Sequence, residues 1–252
     1  MSMIETRVHG FVHELRLARP PVNALDPALC GELAAAINAA VSNGAQGIVL
    51  AGAQKVFSAG LDVPYLLSLG DDQAALTAAW TAFFEAARTL ADCPVPVVAA
   101  MAGHAPAGGC VLALCCDYRI MAEGPFRIGL NETQVGLVAP EGIQALMQRV
   151  VGKHRSERLL VAGAMVESGD ALRIGLVDEL AAIEAVDTRA RVWLEELLAL
   201  PREPMLATRR IARQDVVDAL APERIDLPRF VARWTHPDTQ AGLRAVLARI
   251  GK

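Results

Sequence analysis

The sequence predicts an α/β protein whose strands are covered on both faces, followed by a helical region that holds no strand. Two stretches carry the first half of this reading. Gly47-Ile48-Val49-Leu50-Ala51-Gly52 and the run from Val95 to Ala102 are short, unbroken and apolar, which marks strands of a parallel sheet buried from both sides. From Asp187 onward the chain becomes Ala-, Leu- and Arg-rich, amphipathic, and punctuated by Pro201, Pro204, Pro222, Pro228 and Pro237, with no apolar strand run left. The first part has a strand, strand, helix rhythm that points to stacked similar units. We therefore divide the chain into a core at residues 1–186 and a helical region at 187–252.

At 252 residues and 53% hydrophobic content, the chain is long and apolar enough to bury one sizeable core. A net charge of −4 argues against a nucleic-acid binder, although the Arg209-Arg210 pair is a local basic patch that could meet phosphates. The first residues show no basic segment followed by an apolar one, and no apolar run reaches membrane-spanning length. The five cysteines (Cys30, Cys93, Cys110, Cys115, Cys116) are odd in number, form no C-x-x-C pair and sit in apolar surroundings. That suits buried reduced thiols and a cytoplasmic setting, with neither a metal site nor a membrane partner expected.

Val8 to Leu17 alternates as two short strands turning near Gly10, which would put His9 and His13 on the strand surface. Asp26-Pro27 is an N-cap followed by proline at the first helical position. The helix it opens runs to about Asn43, with Leu29, Leu33, Ile37 and Val41 as its buried stripe and Gly44 as its stop. Lys55-Val56-Phe57-Ser58-Ala59-Gly60-Leu61-Asp62 follows the first buried strand. Ser58 invites comparison with a hydrolase nucleophile, but that elbow needs glycine two residues earlier, where Val56 stands. The segment reads better as a backbone-lined corner in which Gly60 admits a ligand and the Leu61 N–H points outward.

A helical stretch from about Asp71 to Ala91 opens on Asp71-Asp72-Gln73 and carries Trp80, Phe83, Phe84 and Leu90 as core residues. After the second buried strand comes Gly103-His104-Ala105-Pro106-Ala107-Gly108-Gly109, leading into an apolar helix. The first turn of a helix offers N–H groups without intrahelical partners, and at Gly108 and Gly109 no side chain blocks an approaching anion. Two other readings of the glycine pair stand beside this one: close helix packing, and a nucleotide-phosphate loop whose sequence templates are not met. Strands follow at Asp117–Ala122 and Phe126–Ile128. Glu132 then lies within Gly129-Leu130-Asn131-Glu132-Thr133-Gln134-Val135-Gly136. A glutamate on a solvated loop is one reading. A glutamate in an apolar pocket, with a raised pKa and use as an acid or base near neutrality, is the other. Helices are expected from Gly142 to Val151 and Ser156 to Ala162, a third capped by Ser168 and stopping at Gly175, then a strand from Leu176 to Leu180.

Phe57-Ser58-Ala59-Gly60-Leu61-Asp62, Gly103-His104-Ala105-Pro106-Ala107-Gly108-Gly109-Cys110, Cys116-Asp117-Tyr118-Arg119-Ile120 and Gly129-Leu130-Asn131-Glu132-Thr133, in this order, resemble the crotonase (enoyl-CoA hydratase/isomerase) superfamily. Within it, the chain is most similar to the Δ3,Δ2-enoyl-CoA isomerases. The resemblance implies a spiral of strand-strand-helix units with C-terminal helices that build trimers or hexamers. It also implies an acyl-CoA thioester substrate with CoA as part of that substrate and no separate cofactor. The implied oxyanion hole is the backbone N–H of Leu61 and of Gly108, the implied base is Glu132, and Ala59, Gly60, Gly109 and Val111 would line the substrate. Hydratases of this family look to carry a second glutamate where this chain has Val111. A 2-enoyl-CoA hydratase and a non-catalytic acyl-CoA-binding paralogue are the alternatives. Arg249 and Lys252 are candidates for meeting CoA phosphates, beside the reading of each as part of a solvated helix face.

Overall fold

The computed structural model describes residues 2–250. The chain opens as an antiparallel hairpin, β1 (Ile4–His9) and β2 (Val12–Leu17), turning at Gly10 with φ +61°. Helix α1 (Pro27–Ser42) begins as the sequence predicts, with the Asp26 carboxylate accepting from the Leu29 N–H and Gly44 following its last turn at φ +86°.

One plan then repeats three times. A strand of a large sheet leads into a short strand of a small sheet and on into helices. The first pass is β3 (Gly47–Ala51), β4 (Lys55–Val56), α2 (Val63–Ser68) and α3 (Gln73–Ala91). The second is β5 (Val97–Met101), β6 (Gly103–Pro106) and α4 (Gly108–Leu114). The third is β7 (Tyr118–Ala122), β8 (Arg127–Gly129), α5 (Glu141–Val151) and α6 (Lys153–Ala162). The chain continues through β9 (Val166–Glu167), α7 (Ser168–Ile174) and β10 (Glu179–Ala181). It ends in α8 (Val186–Leu198), α9 (Arg202–Ala212), α10 (Gln214–Ala219), α11 (Pro222–Ile225), α12 (Leu227–Trp234) and α13 (Pro237–Ile250).

The large sheet runs β1-β2-β3-β5-β7-β10 and the small one β4-β6-β8-β9. From β2 to β10 every neighbouring pair in the large sheet is parallel. Each pass adds one strand to each sheet, so the chain winds into the spiral of strand-strand-helix units that the resemblance implies. On one face of the large sheet Leu15, Ile48, Leu50, Val97 and Met101 join the core made with α1, α3 and α4. On the other face Val49, Ala51, Val98, Ala100 and Ile120 are covered by Val186, Ala190 and Leu194 of α8. Residues of both parities along β3 and β5 are therefore buried, which is why those runs lack alternation.

Three local expectations need correction. His13 is only 5% exposed; its strand β2 is paired on both sides and covered on both faces, so neither parity meets solvent. Ser168 does not cap α7, because Glu167 holds the N-cap position while the Ser168 hydroxyl donates to the Gly124 carbonyl and accepts from its N–H. The strand expected at Leu176 begins only at Glu179, since Leu176 and Val177 are buried in the core before β10 starts. The region from 187 shares its packing with the core: α8 lies on the sheet, and Phe230 of α12 meets Trp80 of α3 with ring centroids 4.4 Å apart. Arg209 is held internally as well, pairing with Asp117 at 2.7 Å and donating to the Cys93 carbonyl. All five cysteines are buried and free.

Candidate active site

Ser58 is fully buried, and its hydroxyl builds the first turn. It donates to the Asn23 carbonyl at 2.8 Å and accepts from the Gly60 N–H at 3.1 Å, while Asn23 Nδ2 donates to the Phe57 carbonyl. Both polar groups are thus spent on backbone, which leaves no free nucleophile. Leu25 and Leu61 then form a parallel bridge in which the Leu25 N–H donates to Gly60 and the Asp62 N–H donates to Leu25. Among the described residues the Leu61 N–H has no hydrogen-bond partner.

The second turn is made by strain. Ala107 sits at φ +45°, ψ −116°, a conformation that L side chains rarely adopt and that marks an imposed geometry. It swings the chain from β6 directly into α4, whose first residue, Gly108, has an N–H that likewise finds no partner among the described residues. Only glycine lets the two turns interlock. A Cβ added at Gly60 would lie 3.1 Å from Gly108 N, and one at Gly109 would lie 2.7 Å from the Ser58 carbonyl oxygen.

Glu132 opens a short 3-10 turn, Glu132–Val135, after β8. Its Oε2 is buried and has no partner among the described residues. Burial pushes the carboxyl pKa up from 4.5 to about 7, opposed only in part by its own backbone N–H. Glu132 is half-buried as a residue, but its Oε2 is shielded, which favours the pocket reading over the solvated-loop one.

Leu61, Gly108, Val111, Glu132 and Ala59 all line one cavity of about 160 Å³. Gly60 and Gly109 do not line it; they sit behind its wall, where the two turns touch. Val111 is 2% exposed and lies one turn beyond Gly108 on α4. Glu132 is the one carboxylate among the described residues of the lining. Two free backbone donors and one carboxyl of raised pKa thus share a mainly apolar space, whose lining also includes Asn131, an arrangement suited to moving a proton next to a forming oxyanion.

The enoyl-CoA hydratase/isomerase family model matches residues 7–246. The chain belongs to this family. It is 31% identical to the mitochondrial enoyl-CoA delta isomerase 1 of Mus musculus over 252 residues, covering 98% of this chain and 86% of that protein. A probable enoyl-CoA hydratase of Mycobacterium avium is 33% identical over 196 residues, covering 77% of this chain and 75% of that protein. The crystal structure of human mitochondrial delta3-delta2-enoyl-CoA isomerase superposes with a TM-score of 0.93 at 30% identity, covering 99% of this chain and 98% of that one.

Within this member of the enoyl-CoA hydratase/isomerase family, the rest of the cavity comes from residues to which the sequence assigned other work. Trp80, Phe83 and Phe84 are core, as expected, and also form the cavity wall. Phe230, Trp234 and Leu243 complete it from α12 and α13. The signal was visible as an apolar stripe on the terminal helices, but its partner was not. Lys252 and the side chain of Arg249 lie outside the described residues. No helix among the described residues is long and apolar enough to cross a membrane.

Proposed function

We propose that the protein is a Δ3,Δ2-enoyl-CoA isomerase of fatty-acid β-oxidation, moving the double bond of a 3-enoyl-CoA into conjugation as trans-2-enoyl-CoA. The observation that carries this reading is that Glu132 is the one carboxylate among the described residues of the cavity lining, with Val111 where a second carboxylate would be needed to orient water. Ionised Glu132 takes a C2 proton from the substrate. The C2–H pair moves into a C2–C1 π bond, charge collects on the thioester oxygen, and the Leu61 and Gly108 N–H groups stabilise it, each worth roughly 10²–10³ in rate. Glu132 returns the proton to C4, where the C3–C4 π pair forms the new C4–H bond, while the C1–C2 π pair moves between C2 and C3 and the oxygen lone pair re-forms the thioester carbonyl, a shuttle worth about 10²–10⁴. Nothing is oxidised or reduced, and CoA is part of the substrate, so the reaction uses no separate cofactor.

An apolar Val111 supports the same reading by keeping water from the intermediate. A trimer or hexamer is part of the proposal: α9 has no buried residue, and Leu200 and Ile211 are 52% and 76% exposed, apolar surface that a second subunit would cover. The buried reduced cysteines support a cytoplasmic location. The deciding experiment compares kcat/KM for 3-enoyl-CoA isomerisation with that for 2-enoyl-CoA hydration on the purified protein. Isomerisation is expected to be much the faster. Faster hydration would mean that another group replaces the missing carboxylate, and binding without either turnover would favour a non-catalytic paralogue.

A further inference from the structure

The cavity holds the candidate chemistry and the space for the acyl chain in one volume, so its size limits the substrate. Phe83 marks the end near the backbone donors, because a Cβ added at Gly108 would lie 3.2 Å from Phe83 Cε2. Trp80 lies about one turn back along α3, its ring centroid 6.4 Å from that of Phe83. There it meets Phe230 edge-on at 4.4 Å and Trp234 at 6.0 Å. All three of these rings are buried, and Phe230 divides this cavity from a second one of about 310 Å³ that Arg229 and Arg233 also line.

Helix α13, which follows α12 and packs against it, is anchored to the turn that carries Glu132. The Thr239 hydroxyl donates to the Gly136 carbonyl at 2.6 Å, and Gly242 lies so near that an added Cβ would sit 2.7 Å from the Val135 oxygen. Swinging α12 and α13 outward to admit a longer chain would break these contacts. Aromatic rings with two torsions each also adapt less than the flexible methionines common in promiscuous sites.

Resting on the reading of the cavity as an acyl-thioester site, we infer that the aromatic wall of Trp80, Phe230 and Trp234 sets an acyl-length ceiling of about six carbons, by comparison with an engineered apolar cavity of about 150 Å³ that takes one benzene. The substrate class is then short-chain enoyl-CoA. The count starts at the thioester carbon, since Leu61, Gly108 and Glu132 line the same volume of about 160 Å³.

The test measures binding of saturated acyl-CoA thioesters from four to twelve carbons by calorimetry, a readout that needs no turnover. The wild-type Kd is expected to tighten about fourfold per added methylene up to about six carbons and then to stop improving. Phe230→Ala is expected to move that plateau outward by several carbons, and Phe230→Leu, a milder change for the case in which the alanine variant does not fold, by fewer. Continued tightening to ten carbons in the wild type, or a folded variant with an unmoved plateau, would overturn the assignment. Isomerisation assayed over the same chain lengths separates the two claims: a binding plateau without turnover leaves the ceiling standing and removes the isomerase, whereas turnover without a plateau does the reverse.

Discussion

Replacing Glu132 by glutamine is expected to stabilise the protein as pH rises, by an amount fixed by the burial of one carboxylate. The folded-state pKa is raised from 4.5 to about 7, so the stability contributed by the neutral carboxyl is complete below pH 4.5 and is lost as pH rises through 7. At about 1.4 kcal/mol per pH unit, ionised Glu132 costs the folded state about 3 kcal/mol above pH 7, of which about 2.5 kcal/mol develops between pH 5 and pH 8. Glutamine is uncharged throughout, and whatever its buried amide costs is the same at both pH values. The difference between variant and wild type should therefore grow by about 2.5 kcal/mol from pH 5 to pH 8, or by about 5–10 °C in Tm for a chain of this size. Thermal melts at one fixed protein concentration read this directly, concentration mattering if the protein associates. A variant that differs from the wild type by the same Tm at both pH values would show that Glu132 is solvated and that the pocket reading is wrong. If Glu132 is the base of the proposed function, the same ionisation sets activity in the wild type, and kcat/KM should fall about tenfold per pH unit below about pH 7.

Val111→Glu places a second carboxylate against the same cavity as Glu132; like charges there should move the acid limb of the pH–rate profile upward by roughly one unit and slow isomerisation. An unchanged profile would mean that the two positions do not face each other. Gly109→Ala would drive a Cβ to 2.7 Å from the Ser58 oxygen, costing about 1–3 kcal/mol of stability. By shifting Gly108 relative to Leu61 it should also lower kcat by up to about 10²-fold, and a fully active, equally stable variant would contradict the interlocked-turn geometry. Sedimentation should give a trimer or its multiple, and a monomer at micromolar concentration would refute the covered-face reading of α9.

The two turns were legible because each depends on local chemistry. Gly60, Gly108 and Gly109 announce close backbone approach, and the apolar runs on either side announce buried strands. Glu132 was only half legible. Whether a carboxylate is solvated depends on what encloses it, and the cavity that Glu132 lines is completed by Ile143 of α5 and by the far-off Phe230, Trp234 and Leu243. Periodicity showed that α12 has an apolar face, but not that α3 is its partner; a stripe records that a surface is needed, not which one. His13 failed for a related reason, since strand parity gives the face of a residue and not whether a second layer covers that face. Ala107 carried no signal, because alanine at φ +45° is a conformation the surroundings impose rather than one the residue prefers.

The cavity's mainly apolar lining links binding, acid–base strength and donor strength. Removing water from Glu132 raises its pKa to about 7, which leaves about half the molecules ionised at neutral pH but makes each ionised carboxylate a stronger base. The same removal of water strengthens the Leu61 and Gly108 N–H groups toward a developing oxyanion, since an electrostatic contact gains as the local dielectric falls. The enclosing rings of α3 and α12 therefore do more than measure a chain. A hydratase must admit and hold a water beside its carboxylates, whereas here aromatic rings line the cavity around the one carboxylate found among its described residues. On the proposed function, a pocket sized for a short acyl group and a base of raised pKa would serve one end, since an apolar wall around both favours proton transfer between two carbons of one substrate over addition of water.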